Sequence, residues 1–366
     1  MDYIKQYKLI ILSCLFIIII FIGGYFTYSY FNKNKINETQ ILDTTNINPP
    51  IVNSTKSPIS EIPKTKPTPA PPMPEGTDQF VISLTATTED IANNLLDQEY
   101  IKNTSDFILE VNTKILSPGA YKISKEMTQT QLVKTLFGKP YMKWVIVPPG
   151  LRKEEIATLL TNTLSWTTKQ KNDWITKDTI TKPEYIEGVY APETYLIPVA
   201  EKPADVATRL ISKFNENFAE YLPQFTAKNI KWTTALTFAS LVQREAANVS
   251  DMPLIAGILW NRLNQDMMLN VDATLQYVRG DTSLGWWAPI TIADKKIDSP
   301  YNTYKYTGLP PHPISNPSIR AIDAVLNPVS TDCLYYLHDK NHITHCAVTY
   351  KEHQSNIDLY LKTPMN

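Results

Sequence analysis

Hydrophobic and polar positions divide the chain into stretches of different character. From Leu9 to Tyr30 it runs 22 residues without a charge. At about 1.5 Å per residue, a helix of that length spans the roughly 30 Å hydrocarbon core of a bilayer. The run closes with Tyr25, Tyr28, Tyr30 and Phe31, aromatics suited to a membrane–water interface, rather than with the small residues that end a cleaved signal peptide. A retained transmembrane helix over residues 9–31 is therefore expected, behind a tip of residues 1–8. Residues 32–76 have almost no apolar periodicity and carry nine prolines between Pro49 and Pro74. Such a stretch cannot bury enough surface to offset its ordering entropy. A disordered linker is expected, extended at about 3.1 Å per residue and able to reach on the order of 100 Å.

From Phe80 the pattern becomes globular. Phe80 to Leu84 reads as a strand, Thr88 to Leu96 as a helix capped by Thr87 or Thr88, and Thr104 to Val111 as a second helix. After the Pro118-Gly119 turn come a short strand at Ala120 to Ile123 and a helix at Thr130 to Phe137, opened by Thr128 and closed by Gly138. A β-rich run at Lys143 to Val147, the breaker Pro148-Pro149-Gly150 and a helix from Lys153 follow. Short strands alternating with short helices define an α+β class, with a small module over residues 77–142 and a larger mixed α+β domain over 143–366.

Thr233 to Asn248 reads as a helix with an anomaly. At about 100° per residue, Glu245 falls roughly 40° from Leu241 and lies between it and Phe238, inside the apolar stripe, whereas Gln243 and Arg244 fall outside its centre. A carboxylate facing a core is costly unless it is paired or protonated, and desolvation raises its pKa. That is the state a general acid requires. A structural use is equally open: a glutamate held by backbone amides or by Arg262 on the next helix.

The segment ASLVQREA, residues 239–246, resembles the ASIVEKEA signature of the MltG/YceG family of endolytic murein transglycosylases, with Glu245 at the catalytic position and Gln243 replacing the first acidic one. Further segments are similar in the same order: Ile186 to Tyr195, Met252 to Leu263, Val271 to Tyr277 (resembling a D-x-T-x-x-Y strand), Ser299 to Tyr304 and Gly308 to Pro317. Leu116 to Tyr121 resembles the family's LysM-like subdomain, read either as a glycan binder or as a rigid spacer. The resemblance implies an outward-facing lytic transglycosylase in which Glu245 is the catalytic residue. Glu187, Tyr190, Glu193, Asn261, Asp272, Thr274, Gln276, Tyr301 and Asn302 are then candidates for contacting substrate. Each also has a plain structural use, such as capping by Glu187 or Asp272 and core packing by the tyrosines. Expected partners are peptidoglycan strands and the cell membrane, with peptidoglycan synthases and division proteins nearby. No metal or cofactor is expected. The competing readings are a non-catalytic, membrane-anchored cell-wall scaffold and a glycosidase with paired carboxylates.

Composition adds little to this. Thirty-five basic and thirty-six acidic residues leave a net charge of -1, so no bulk field attracts nucleic acid. Lys5 and Lys8 precede the apolar run and Lys33 and Lys35 follow it, so charge bias gives no orientation, and the outward side comes from the resemblance alone. His338, His342 and His345 read as strand, turn and strand rather than one ligating face. The family's hairpin histidine is displaced, with Thr344 in its place, so His345 and His353 are left out of the catalytic set. Folding that hairpin symmetrically about Lys340 and Asn341 sets Cys333 and Cys346 out of register, which disfavours a bridge between them.

Overall fold

The computed structural model describes residues 75–362 other than 181, 183 and 185. The apolar run from Leu9 and the proline-rich stretch lie outside the described residues. Among those described, no helix is long and apolar enough to cross a membrane.

The fold is mixed α+β with antiparallel sheets. The first module comprises β1 (Asp78–Ile82), α1 (Thr88–Asp97), α2 (Thr104–Val111), β2 (Gly119–Ile123) and α3 (Gln129–Leu136). Its helices start where side chains satisfy orphan amides. Thr87 forms a capping box with Asp90, Thr128 forms one with Gln131, and the Asn103 carboxamide accepts from the amides of Ser105 and Asp106. Phe80, Ile82, Leu95, Phe107, Ile123, Leu132 and Leu136 close a core of their own.

The sheet continues through β3 (Met142–Ile146) and β4 (Thr194–Pro198) in the order β1-β2-β3-β4. β1 pairs with β2 over five positions and β3 with β4 over five, whereas β2 and β3 meet only at Ala120 and Met142. The module is thus joined to the rest by a narrow seam, strengthened by Trp144 Nε1 donating to the Ile82 carbonyl at 2.9 Å.

Beyond the seam come α4 (Lys153–Leu164), α5 (Thr168–Asp173), α6 (Pro203–Phe218), α7 (Leu222–Ala227), α8 (Trp232–Glu245), α9 (Met252–Asn264), α10 (Asp272–Arg279) and α11 (Ile319–Leu326). The hairpin β5 (Tyr335–His338) and β6 (Thr344–Ala347), then α12 (Tyr350–Ile357) and a π-helical turn over Asp358–Lys362, complete the described chain. α8 lies at the centre, packed on by α7, α9, α10 and α11, which is why its buried residues run through every position from Ala235 to Val242. Each fully buried Leu or Phe there, such as Leu241 and Phe238, contributes about 1.5–3 kcal/mol. Two glycines allow the close approaches. Gly188 sits at φ +91 with space for a Cβ only 2.7 Å from Pro313 Cγ, and Gly257 brings α9 to where a Cβ would meet the Val329 carbonyl at 2.3 Å.

Two expectations fail here. Val271 to Tyr277, expected as a strand from its resemblance to the D-x-T-x-x-Y segment, instead forms the start of α10: Val271 is the N-cap, Asp272 opens the helix and Gly280, at φ +81, ends it. Cys333 and Cys346 form a disulfide with Cα atoms 5.8 Å apart. The hairpin pairs Tyr336, not residue 335, with Cys346, and Cys333 precedes β5, where ladder register no longer dictates the direction of the chain.

Candidate active site

Glu245 is the last residue of α8, and Ala246 leaves the helix in an extended conformation. Asn248 then caps the short turn that leads into α9. The C-terminal end of a helix carries partial negative charge, so a carboxylate there is held less favourably than a neutral acid. The side chain is half-buried, and Tyr336 Oη donates to its Oε2 at 2.5 Å. Loss of solvation raises the carboxyl to about 7; Tyr336 and the guanidiniums of Arg262 and Arg244 pull it down, while the charge of Asp272 pushes it up. A group poised there can both give and take a proton near neutrality.

The surroundings of Glu245 are held by α9 and α10. Arg262 is buried and donates to the carbonyls of Leu334, at 2.6 Å, and Leu269, at 2.5 Å. It acts on Glu245 through its field, and no ion pair joins the two among the described residues. Beside it, Asn261 Nδ2 donates to the carbonyls of Thr331 and Cys333. Together these residues fix the strand that brings Tyr336 to Glu245. Asp272, exposed at the start of α10, accepts from Tyr304 Oη at 2.5 Å, which places an oriented carboxylate in the field of the acid.

Glu245, Asp272 and, through the strand it holds, Asn261 therefore belong to one locality. Tyr336 and Tyr304 complete it. Tyr336 was missed by sequence reasoning: its hydroxyl reaches a partner 91 positions away, and no spacing marks it apart from its place on the hairpin that carries both cysteines.

Four of the expected substrate contacts have essentially no exposed surface: Glu187, Tyr190, Thr274 and Asn302. Glu187 accepts from the Lys153 amide and from Asn316 Nδ2 at 2.6 Å, and burial together with the charge of Glu154 lifts it to about 8. It clamps the start of α4 to the 316 loop. Tyr190 packs on Trp174 and donates to the Thr179 carbonyl. Thr274 bonds Val271 and Thr303, and Asn302 ties the carbonyls of Lys295 and Ile297 to the Tyr304 amide. In this structure all four are tied into the scaffold by bonds within the protein.

The other three are accessible but apart from Glu245 in their bonding. Glu193 is exposed and accepts from Asn217; Gln276 donates to the carbonyls of Trp287 and Ala288; Tyr301 stacks against Tyr277 with ring centroids 5.1 Å apart. Trp286 and Trp287 are loop anchors, the first under Arg152, the second under Arg244 at 3.8 Å and bonded to Glu155. Gln243 does not merely face outward. Its Oε1 accepts from the Ser318 amide and hydroxyl at the start of α11. His345 stacks on Tyr360 and bonds Asp339, and no grouping of ligating side chains suited to a metal occurs among the described residues.

Residues 80–359 match the model of the YceG-like family. The chain is 33% identical over 186 residues to the endolytic murein transglycosylase of Streptococcus pneumoniae serotype 2, a match covering 50% of this chain and 33% of that protein. It thus spans about a third of the length of that relative. The endolytic murein transglycosylase of Bacillus subtilis is 29% identical over 298 residues, covering 75% of this chain and 82% of its own length. The crystal structure of a yceG-like protein from Listeria monocytogenes superposes with a TM-score of 0.56 at 27% identity, over 77% of this chain and 99% of that one.

Proposed function

The chain belongs to the YceG-like family, and on that footing we propose that it is an endolytic murein transglycosylase that cuts the MurNAc–GlcNAc bond of glycan strands with Glu245 as its acid/base. The observation that carries the reading is the Glu245 carboxyl, held near neutrality at the end of α8 and oriented by Tyr336. In the reaction, the protonated carboxyl gives its proton to the glycosidic oxygen as the bond to MurNAc C1 breaks. The carboxylate then takes the proton of the same sugar's C6 hydroxyl, whose oxygen closes on C1 as a 1,6-anhydro ring. No water is consumed and the proton is returned to Glu245. Because the nucleophile belongs to the substrate, positioning supplies much of the rate, and the exposed charge of Asp272 would favour the oxocarbenium-like transition state.

The anchor expected at residues 9–31 and the linker after it would hold the enzyme at the outer face of the cell membrane, ending strands made by synthases close by. A disulfide in the described domain is in keeping with an oxidising, extracytoplasmic site. The first module would hold the strand, as expected of a LysM-like fold.

The test is digestion of purified glycan strands by the full chain and by Glu245→Gln, read by mass spectrometry. Products with 1,6-anhydro ends, lost in Glu245→Gln, are expected. Reducing ends would instead identify a hydrolase, and cleavage undiminished in Glu245→Gln would remove the central assignment. No cleavage by either protein would leave a scaffold.

A further inference from the structure

The hairpin that carries Tyr336 is small. β5 and β6 pair over only four positions, and a two-stranded hairpin of that size has little stability of its own in water. The buried residues of the main hydrophobic core, moreover, end in sequence at Leu326, and the hairpin meets that core through the partly buried ring of Tyr336. Yet Tyr336 must deliver its hydroxyl to Glu245 within hydrogen-bond distance.

Two sets of ties make this possible. On one side, α9 grips the approach to β5: Asn261 holds the Cys333 carbonyl at 3.1 Å and Arg262 holds the Leu334 carbonyl at 2.6 Å. On the other, the Cys333–Cys346 disulfide links that gripped approach to β6, at the residue that is the direct ladder partner of Tyr336. The bridge therefore closes a covalent frame around Tyr336, with the α9 contacts at one corner and the residue opposite Tyr336 at the other. Asn356 of α12 adds a bond to the Cys346 carbonyl at 3.3 Å.

We propose that the Cys333–Cys346 disulfide is a positioning cross-link for the acid/base, fixing the strand whose Tyr336 hydroxyl orients the Glu245 carboxyl, so that its reduction weakens turnover. The proposal rests on Glu245 being the acid/base. Reduction by an external dithiol such as dithiothreitol transfers two electrons and two protons to the sulfurs, giving two thiols, while the dithiol ends as its own cyclic disulfide. The hairpin then keeps its ladder but loses its covalent closure. Tyr336 donates to the ionised form of Glu245 and so favours it; a wandering Tyr336 lets the carboxyl titrate at higher pH. The other groups that act on Glu245 are Arg244 on its own helix, Arg262 on α9, Asp272 on α10 and, bonded to Asp272, Tyr304. None of them is on the hairpin.

The experiment measures kcat against pH on purified glycan strands for the full chain, oxidised and after dithiothreitol, alongside Tyr336→Phe and the double variant Cys333→Ser, Cys346→Ser. Far-ultraviolet circular dichroism checks that the helices persist. The expected result is a fall in kcat of about ten-fold on reduction, with the alkaline limb of the profile moved to higher pH. Tyr336→Phe, which retains the ring and both cysteines, should move the limb the same way, and reduction should then add nothing to it. The double variant should match the reduced enzyme and ignore dithiothreitol, which also controls for the third cysteine of the chain, Cys14 in the N-terminal apolar run. Equal fractional losses on reduction with and without the Tyr336 hydroxyl, a limb that does not move, or unchanged turnover would each overturn the proposal. If the oxidised enzyme does not cleave, or Glu245→Gln cleaves as well as the parent, it is the acid/base assignment that fails instead.

Discussion

Glu187 offers the sharpest quantitative test of the scaffold. Its carboxyl is fully enclosed and lifted from 4.5 to about 8. In the folded protein it is therefore neutral across the range in which the unfolded chain has already ionised it. The sign follows: stability is fully present below about pH 4.5, falls as pH rises and the unfolded state alone sheds its proton, and levels off above about pH 8. At about 1.4 kcal/mol per unit the whole interval corresponds to a ceiling of roughly 4–5 kcal/mol, and relaxation around the ionised group reduces this to about 2–4 kcal/mol. Glu187→Gln imitates the neutral acid, because one oxygen can still accept from the Lys153 amide and Asn316 Nδ2, as Oε1 does. Urea titrations of both proteins between pH 4.5 and 9 should give nearly equal stability at the acid end and a variant more stable by about 2–4 kcal/mol at the alkaline end. Subtracting the two curves removes the similarly signed contribution of Glu245. Glycan cleavage by the variant at pH 6 should match the parent's, since this residue has no surface to offer a sugar. A stability difference independent of pH would refute the buried, neutral state, and a selective rise in KM would restore Glu187 to the substrate.

Other expectations are as direct. Cleavage should decline above about pH 7 with a single-proton slope, since Glu245 must start protonated and its carboxyl is raised to about 7; a limb near pH 4.5 would show that the carboxyl is not desolvated during turnover. Gly257→Ala forces a Cβ against the Val329 carbonyl and should cost about 1–3 kcal/mol in urea titration through displacement of α9; an unchanged midpoint would contradict that contact. Asn302→Ala removes three hydrogen bonds around the 295–304 loop and should lower stability by about 2–3 kcal/mol with KM unaltered, whereas a change in KM alone would mark it as a sugar ligand.

Local signals in the sequence located most of the described elements. The capping threonines at 87 and 128 and the 3.6-residue pattern of α8 act within a few residues, so they can be read without tertiary information. The one-sided apolar stripe expected of α8 is not found, because the helix is buried at every position from Ala235 to Val242 and Glu245 is half-buried like its neighbours Gln243 and Arg244. What escaped depends on distant parts of the chain. Tyr336 meets Glu245 across 91 positions, and Glu187 meets Asn316 across 129. A polar residue in a matched segment looks alike whether it binds a ligand or satisfies buried backbone, and Glu187 and Asn302 are buried with their polar atoms bonded within the protein. The disulfide was misjudged because ladder register was carried past the point where β5 begins, and α10 because its conformation was taken from a motif resemblance and not from the Asp272 and Gly280 signals at its two ends.

The Glu245 carboxyl illustrates why such a site cannot be assembled from one helix. Desolvation raises the acid, and the C-terminal end of α8 acts in the same direction. Of the downward influences, Tyr336 comes from the hairpin and Arg262 from α9, while Arg244, stacked on Trp287, lies on α8 itself. Arg262 acts twice, through its charge on Glu245 and through its grip on Leu334, which leads to Tyr336. A change at Arg262 therefore alters both the field at the carboxyl and the position of its hydrogen-bond donor. Proton affinity and geometry at Glu245 are coupled through one buried guanidinium, and the poise of the acid near pH 7 is a property of α8, α9 and the hairpin taken together.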